Sequence, residues 1–179
     1  MNPLDPNLLI LGIAAAAGLL AVIAFFTRAT PRRIAGALAG AVPLVPLVMF
    51  YDWIAARIGW WHYPSVVTGS APLAWYIAAA LFYGAGLGLI GWRMIRRFGG
   101  RGLLAFLVLL ALFGVARDYF YSVAAQLIAF GPGPAPLIAD GVAYASAAVL
   151  VQILMYWIAG PPASDPLART HGAGASRRL

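Results

Sequence analysis

The sequence contains no cysteine, no lysine and no glutamate. Without cysteine the chain has no disulfide, no thiolate ligand for a metal and no thiol nucleophile. Without lysine it cannot form a Schiff base with retinal or pyridoxal phosphate. Its side-chain carboxylates are therefore five aspartates: Asp5, Asp52, Asp118, Asp140 and Asp165. Any acid/base chemistry by a side-chain carboxylate must use one of these five residues.

Charged residues of every kind are scarce. They make up 9% of the 179 residues, whereas hydrophobic residues make up 63% and the mean hydropathy is +0.88. Soluble domains carry about a quarter charged residues, so this composition indicates an integral membrane protein. The net charge of +7 comes from arginines that cluster between apolar runs, a distribution typical of orientation signals and anionic-lipid contacts. We therefore expect membrane lipids as partners, and no nucleic acid.

Five apolar runs are long enough to cross the hydrocarbon core, which takes about 20 helical residues. They cover residues 8–27, 34–58, 72–94, 103–130 and 136–159. The sequence thus predicts an all-α integral membrane protein, with a bundle of five transmembrane helices in a domain of residues 1–160. Residues 161–179 are rich in Gly, Ala, Ser and Arg, which predicts a disordered basic tail.

The positions of the arginines predict the orientation of the bundle. Ten of them follow the first run, separate the third from the fourth, or lie in the tail: Arg28, Arg32, Arg33, Arg93, Arg96, Arg97, Arg101, Arg169, Arg177 and Arg178. The positive-inside rule then places the N-terminus outside and the C-terminus in the cytoplasm. Asp5 and no arginine precede the first run, so we expect an uncleaved helix. The predicted location is the cell membrane, as a multi-pass protein of the bacterial inner membrane.

Small residues spaced by four predict faces where helices approach closely. They are Gly36 and Gly40, Gly84 and Gly88, and the row Ala139, Ala143 and Ala147. Such faces serve tight packing within the bundle, and we also expect them to offer contacts for a homo- or hetero-oligomer. Pro43 and Pro46 remove backbone hydrogen bonds in the second run, which predicts a kink there.

The polar residues of the apolar runs gather at one depth. At 1.5 Å rise per residue, Arg117 and Asp118 lie about 20 Å from the inner end of the fourth run, in the outer half of the membrane. We predict Asp52 and Asp118 as catalytic residues. The candidate substrate-binding residues share that level: Arg57, Trp61, His62, Tyr63, Trp75, Arg117, Tyr121, Asp140 and Tyr144.

Two interpretations of this polar cluster stay open. Charges inside a span are costly and find partners, so the cluster can be a network that fixes helix packing. Because neighbouring residues point about 100° apart on a helix, we expect Arg117 to pair with Asp52, and Asp118 with Arg57 or a tyrosine hydroxyl. The cluster can equally be an acid/base or substrate site open to the outer leaflet. No histidine pair has ligand spacing, so we expect neither a metal nor another cofactor.

A family resemblance lies in the stretch that follows Asp52. The residues Asp52-Trp53-Ile54-Ala55, Gly59-Trp60-Trp61-His62-Tyr63-Pro64, and Pro72-Leu73-Ala74-Trp75 resemble the small membrane lycopene cyclases of the heterodimeric bacterial type and related carotenoid-biosynthesis proteins. In those cyclases a pair of glutamates follows the Pro-Leu step, where this chain has Ala74 and Trp75. Of the family's functional carboxylates, the resemblance carries over Asp52 alone.

The sequence therefore predicts a membrane protein that acts on or binds an isoprenoid, a carotenoid or another lipid through this polar cluster. Cofactor-independent acid/base chemistry at Asp52 and Asp118 is the reaction that we expect from these aspartates. Aromatic rings near the cluster suit an apolar substrate with a transient positive charge. The alternative is a non-catalytic membrane subunit or lipid-binding partner whose buried charges only fix helix packing.

Overall fold

The computed structural model describes residues 6–64 and 71–162 and is almost entirely helical. Its helices are α1 (Pro6–Thr27), α2 (Pro31–Ala41), α3 (Leu44–Ile58), α4 (Leu73–Ala79), α5 (Leu87–Phe98), α6 (Gly100–Ala125) and α7 (Ala135–Ala159), with a π-helical segment (Ala80–Gly86) joining α4 to α5. Two short strands, β1 (Trp61–His62) and β2 (Ala129–Phe130), complete the elements. Nearly all of the predicted tail lies outside the described residues.

These helices form five spans that are long and apolar enough to cross a membrane. They are span 1 (Asn7–Thr27), span 2 (Pro31–Ile58), span 3 (Leu73–Phe98), span 4 (Gly100–Ala125) and span 5 (Ala135–Ala159). The chain thus has the architecture of a multi-pass membrane protein, as the apolar runs predict. Its position in a membrane and its orientation stay predictions.

Spans 2 to 5 pack side by side in a closed order. α2 packs on α7, α7 on α6, α6 on α5, and the π-helical segment of span 3 returns to α2. α1 packs along span 3, and most of its side chains face outward. The four packed spans therefore surround a common interior, and α1 lies beside it.

The small-residue faces bring span 2 close to spans 3 and 5, as predicted. A methyl group on Gly40 would lie 3.3 Å from Val151 Cα, and one on Gly84 would lie 3.0 Å from Ala41 Cα. Backbones at this distance gain dispersion contacts that lipid tails cannot supply. Both glycine pairs join helices of the same chain, and the predicted oligomer contact stays a prediction.

The predicted kink occurs at Pro43 and not at Pro46. α2 ends at Ala41, two turn residues follow, and α3 begins at Leu44. Pro46 is the third residue of α3, where a backbone N–H has no partner within the helix in any case. Its ring therefore disturbs nothing, whereas Pro43 ends the hydrogen-bond ladder of α2.

Span 4 ends earlier than the predicted residue 130. Gln126 takes a left-handed conformation at φ 52° and its N–H donates to the carbonyl of Tyr121, which closes α6 at Ala125. The chain then turns back, and β2 pairs antiparallel with β1, with Phe130 opposite Trp61. Composition gave no sign of this end, because the residues on both sides of Gln126 are apolar.

The described arginines of the predicted inner side lie together at one end of the bundle. Arg93 Nη1 donates to the carbonyl of Phe26 at 2.6 Å, and Arg32 Nε donates to the carbonyl of Ile158 at 2.6 Å. These carbonyls belong to the last turns of α1 and α7, which carry the negative end of each helix dipole. Arg32 and Arg93 thus cap the ends of α7 and α1.

Candidate functional site: a carboxylate-lined cavity

A cavity of about 690 Å³ lies in the half of the bundle opposite the arginines. All five spans contribute to its wall, together with the loop that carries β2. Its wall is apolar and aromatic for the most part. α1 contributes small residues to this wall, namely Gly12, Ala15 and Ala16. Three carboxyl groups and one guanidinium interrupt this apolar surface, and they define the chemistry of the site.

Asp52 is the first of these carboxyls and is held by three donors. Its Oδ1 accepts from Trp61 Nε1 at 2.9 Å, and its Oδ2 accepts from the hydroxyls of Tyr76 at 2.7 Å and Tyr63 at 3.1 Å. The Tyr76 hydroxyl in turn accepts from the buried N–H of Ala71. With 4% of its surface exposed, Asp52 is buried and bonded at both oxygens.

The chain reaches this arrangement through the turn after α3. Gly59 ends the helix in the left-handed conformation, at φ 76°, which a residue with a side chain adopts at a cost. The N–H of Trp60 returns to the carbonyl of Ala55, so the following residues fold back toward α3. Trp61 and Tyr63 therefore reach Asp52 from the loop, and burial beside this carboxyl raises the pKa of Tyr63 well above its ordinary value.

Arg117 and Asp118 form the second polar group. Arg117 Nε donates to Asp118 Oδ1 at 2.7 Å, and its Nη2 atom contacts the same oxygen. The guanidinium also donates to the hydroxyls of Tyr83, at 2.6 Å from Nη1, and Tyr144, at 2.7 Å from Nη2. The Tyr144 hydroxyl donates to Asp118 Oδ2 at 2.9 Å. Spans 3, 4 and 5 thus meet at one ion pair.

The predicted pairing of Arg117 with Asp52 is wrong. The long arginine side chain folds back along α6, so the 100° between neighbouring residues does not separate the two charges. The expectation that Asp118 bonds a tyrosine hydroxyl is confirmed through Tyr144. Arg57, the other partner considered for Asp118, stacks instead on Trp53, with its Cζ atom 4.5 Å from the ring centroid.

Tyr83 belongs to the site, although it is absent from the predicted site residues. It lies within the π-helical segment Ala80–Gly86, where an extra residue in the turn shifts the faces of the helix. Its hydroxyl meets Arg117 Nη1, and its ring centroid lies 5.4 Å from that of Tyr144. The sequence does show a tyrosine within an apolar run at this position. The depth of Tyr83 in the bundle and the side of the helix on which it lies depend on the π-helical turn, which the sequence does not reveal.

Asp140 is the third carboxyl, and it differs from the other two. It lies in the second turn of α7 with 6% of its surface exposed. Its Oδ2 atom is buried and has no hydrogen-bond partner among residues 6–64 and 71–162. Buried carboxyl groups in folded proteins are paired, protonated or bonded to a ligand. Asp140 is thus the one polar residue of the described cavity wall with a buried atom left unbonded.

The structure brings nine of the eleven predicted site residues to the cavity wall. They are Asp52, Trp61, Tyr63, Trp75, Arg117, Asp118, Tyr121, Asp140 and Tyr144. Arg57 and His62 lie outside it and are exposed. Arg57 is five residues after Asp52, which turns it to another side of α3. His62 follows Trp61 in a strand, where successive side chains point to opposite faces.

Other ligand chemistries receive no further support from the described part of the chain. Residues 6–64 and 71–162 contain no group of three or more His, Asp, Glu or Cys side chains placed to hold a metal ion.

Comparison with protein-family models, with curated proteins and with solved structures gives no match. The resemblance to small membrane lycopene cyclases stays a prediction from the sequence. Three of its residues, Asp52, Trp61 and Tyr63, belong to the Asp52 network, to which Tyr76 also contributes.

Proposed function

We propose that the cavity binds an elongated apolar molecule of the isoprenoid, carotenoid or other lipid class, with the polar end of that molecule at the carboxyl groups. The observation that carries this proposal is the unbonded Oδ2 of Asp140 inside a cavity of about 690 Å³. An oxygen buried without a partner costs about 1–3 kcal/mol. A ligand that supplies a donor removes this cost, and the apolar wall receives the rest of the molecule.

The proposal includes acid/base chemistry at the predicted residues. Asp52 and Asp118 both line the cavity, and each is bonded to a tyrosine hydroxyl that also lines it, Tyr76 and Tyr144 respectively. A carboxyl group that shares a proton with a hydroxyl at the wall can exchange it with a bound substrate. Asp52 and Asp118 are therefore the proposed acid/base residues, and Asp140 is a binding residue.

A second candidate function is a non-catalytic membrane subunit. The specific observation in its favour is that Asp52 and the Arg117–Asp118 pair are bonded to protein groups from other spans. Such networks fix the register of helices without any reaction. On this alternative the cavity holds ordinary membrane lipid, and substitutions at the carboxyls change stability alone.

The orientation is part of the same proposal. With the arginines at the cytoplasmic end, the cavity lies in the outer half of the cell membrane. Its ligand then comes from the outer leaflet. A reporter fused after Pro161 tests this, because the reporter is active in the cytoplasm and not outside if the orientation is right.

The experiment is analysis of the molecule that co-purifies with the protein, by mass spectrometry and absorbance spectroscopy, in a matched pair of variants. Gly12 lines the cavity, and a Cβ on it meets nothing within 4 Å, so Gly12→Leu adds a bulky side chain at an open position of the cavity wall. Gly18 on the same helix is equally unobstructed but does not line the cavity. Gly18→Leu is thus the control for a leucine added to α1.

The proposal predicts a stoichiometric isoprenoid, carotenoid or other specific lipid with the wild type and Gly18→Leu, and its loss with Gly12→Leu. Ordinary phospholipid in equal amounts in all three proteins would favour the non-catalytic subunit. A specific lipid that survives Gly12→Leu would place its binding site elsewhere on the protein.

A further inference from the structure

We propose that the polar end of the ligand is cationic, an ammonium or similar protonated amine, and that it donates to Oδ2 of Asp140. This inference rests on the proposed function, since it names the chemical class of the molecule that occupies the same cavity. Three properties of the wall support it: the balance of charged groups, the engagement of Arg117, and the aromatic rings around the carboxyls.

The charged groups of the cavity wall are unbalanced. Three carboxyl groups line it, those of Asp52, Asp118 and Asp140, against the single guanidinium of Arg117 within the described residues. Arg57, the other arginine at this end, lies outside the wall. An anionic ligand would add a negative charge beside three carboxyls, whereas a cationic one would complement them.

Most of the N–H donors of Arg117 are engaged within the protein. Its Nε, Nη1 and Nη2 atoms donate to Asp118, Tyr83 and Tyr144. A phosphate or carboxylate that drew on these donors would weaken the ion pair with Asp118. The guanidinium therefore serves the protein network, and Asp140 is the charged group of the described wall that has a buried atom without a partner.

Asp140 is that group, and its chemistry selects a donor. A cation beside a carboxyl group favours its ionised form, which accepts hydrogen bonds and donates none. The Oδ2 atom of Asp140 is buried without a partner, and a buried charge is stable when an opposite charge lies beside it. A protonated amine thus satisfies this oxygen better than a hydroxyl does.

Aromatic rings near the carboxyls favour the same charge. Trp61, Tyr63 and Trp75 line the cavity, whereas the rings of Tyr83 and Tyr144 already lie beside the guanidinium of Arg117. Ring faces attract cations and not anions. The wall thus joins a carboxyl acceptor to a set of rings, the combination by which proteins recognise ammonium groups.

The test compares three probes with the same alkyl chain and different ends: dodecylamine, dodecanol and dodecanoate. Each is titrated against the full-length protein in nanodiscs of zwitterionic lipid, and empty nanodiscs give the background of partition into lipid. Trp61 and Trp75 line the cavity, so tryptophan emission reports its occupancy. Asp140→Asn removes the charge at nearly constant shape, and Asp165→Asn makes the same change outside the described residues.

We expect dodecylamine to bind the wild type at least about tenfold more tightly than the other two probes, as the attraction between opposite charges at a partly buried site implies. Asp140→Asn should abolish this preference, and Asp165→Asn should retain it. Equal binding of all three probes to the wild type overturns the inference, as does a preference for dodecylamine that persists in Asp140→Asn. The wild-type comparison decides the matter even if Asp140→Asn does not fold.

Gly12→Leu separates this inference from the proposed function. If all three probes bind equally and all are lost in Gly12→Leu, the cavity binds apolar molecules without selecting a cation, and only the inference fails. If no probe binds the wild type above the background, the proposed function and the inference are both overturned.

Discussion

The ring of Tyr144 lies directly against the backbone of Gly114, with no room for a methyl group between α7 and α6. This contact sets the position of the Tyr144 hydroxyl, which bonds both Arg117 and Asp118. Gly114 is buried, so a side chain there cannot turn away into lipid. A glycine one turn from the ion pair thus determines the geometry of the pair.

Substitution of Gly114 by alanine should displace the Tyr144 ring. Overpacking of this kind costs about 1–3 kcal/mol, and the displaced hydroxyl would also weaken its bonds to Arg117 and Asp118. We expect a lower midpoint in thermal unfolding in detergent. Gly100→Ala is the control, because a Cβ there meets nothing within 4 Å. Equal midpoints for the two variants would show that α6 and α7 separate without cost.

The hydroxyl of Tyr76 should matter to stability more than that of an exposed tyrosine. Tyr76→Phe leaves Asp52 with one donor fewer and the N–H of Ala71 without its acceptor. Loss of a buried hydrogen-bond partner costs about 1–3 kcal/mol. Tyr119→Phe serves as the control, since Tyr119 is 55% exposed. Unfolding by sodium dodecyl sulfate measures both variants, and a Tyr76→Phe protein as stable as the control would argue against a buried Asp52 network.

Arg117 and Asp118 should be energetically coupled, and Asp118 and Arg57 should not. Residues that share an ion pair show coupling energies of about 0.5–3 kcal/mol in double-mutant cycles, whereas separated residues add. The first cycle combines Arg117→Met with Asp118→Asn, and the second combines Arg57→Met with Asp118→Asn. We expect the first double variant to be less destabilised than the sum of its single variants. Coupling in the second cycle alone would restore the pairing that the structure rejects.

Chain composition predicts the five spans well, because a span is defined by its length and its hydropathy. The ends of the spans are predicted less well. Gln126 closes α6 through its backbone conformation, and a non-glycine residue at positive φ leaves no mark in the sequence. The same holds for the π-helical turn around Tyr83, which depends on packing between spans.

The sequence predicts how deep in the bundle the site residues lie, but not the direction in which their side chains point. The rise per residue brings Asp52, Asp118 and Asp140 to one level, and all three line the cavity. Direction depends on rotation about the helix and on side-chain conformation, so Arg57 lies outside the wall and Arg117 bonds its neighbour. Whether Asp140 Oδ2 has a hydrogen-bond partner depends on the positions of all the side chains around it, and no local sequence pattern predicts this.

A ligand at Asp140 is the central claim of this account, and density in the cavity tests it most directly. The measurement is a high-resolution structure of the protein purified in mild detergent from its native membrane. The account predicts an elongated non-protein molecule along the apolar wall, with a polar atom at hydrogen-bond distance, about 2.7–3.2 Å, from Asp140 Oδ2. A cavity that holds only water, or a protein side chain bonded to Asp140, would contradict it.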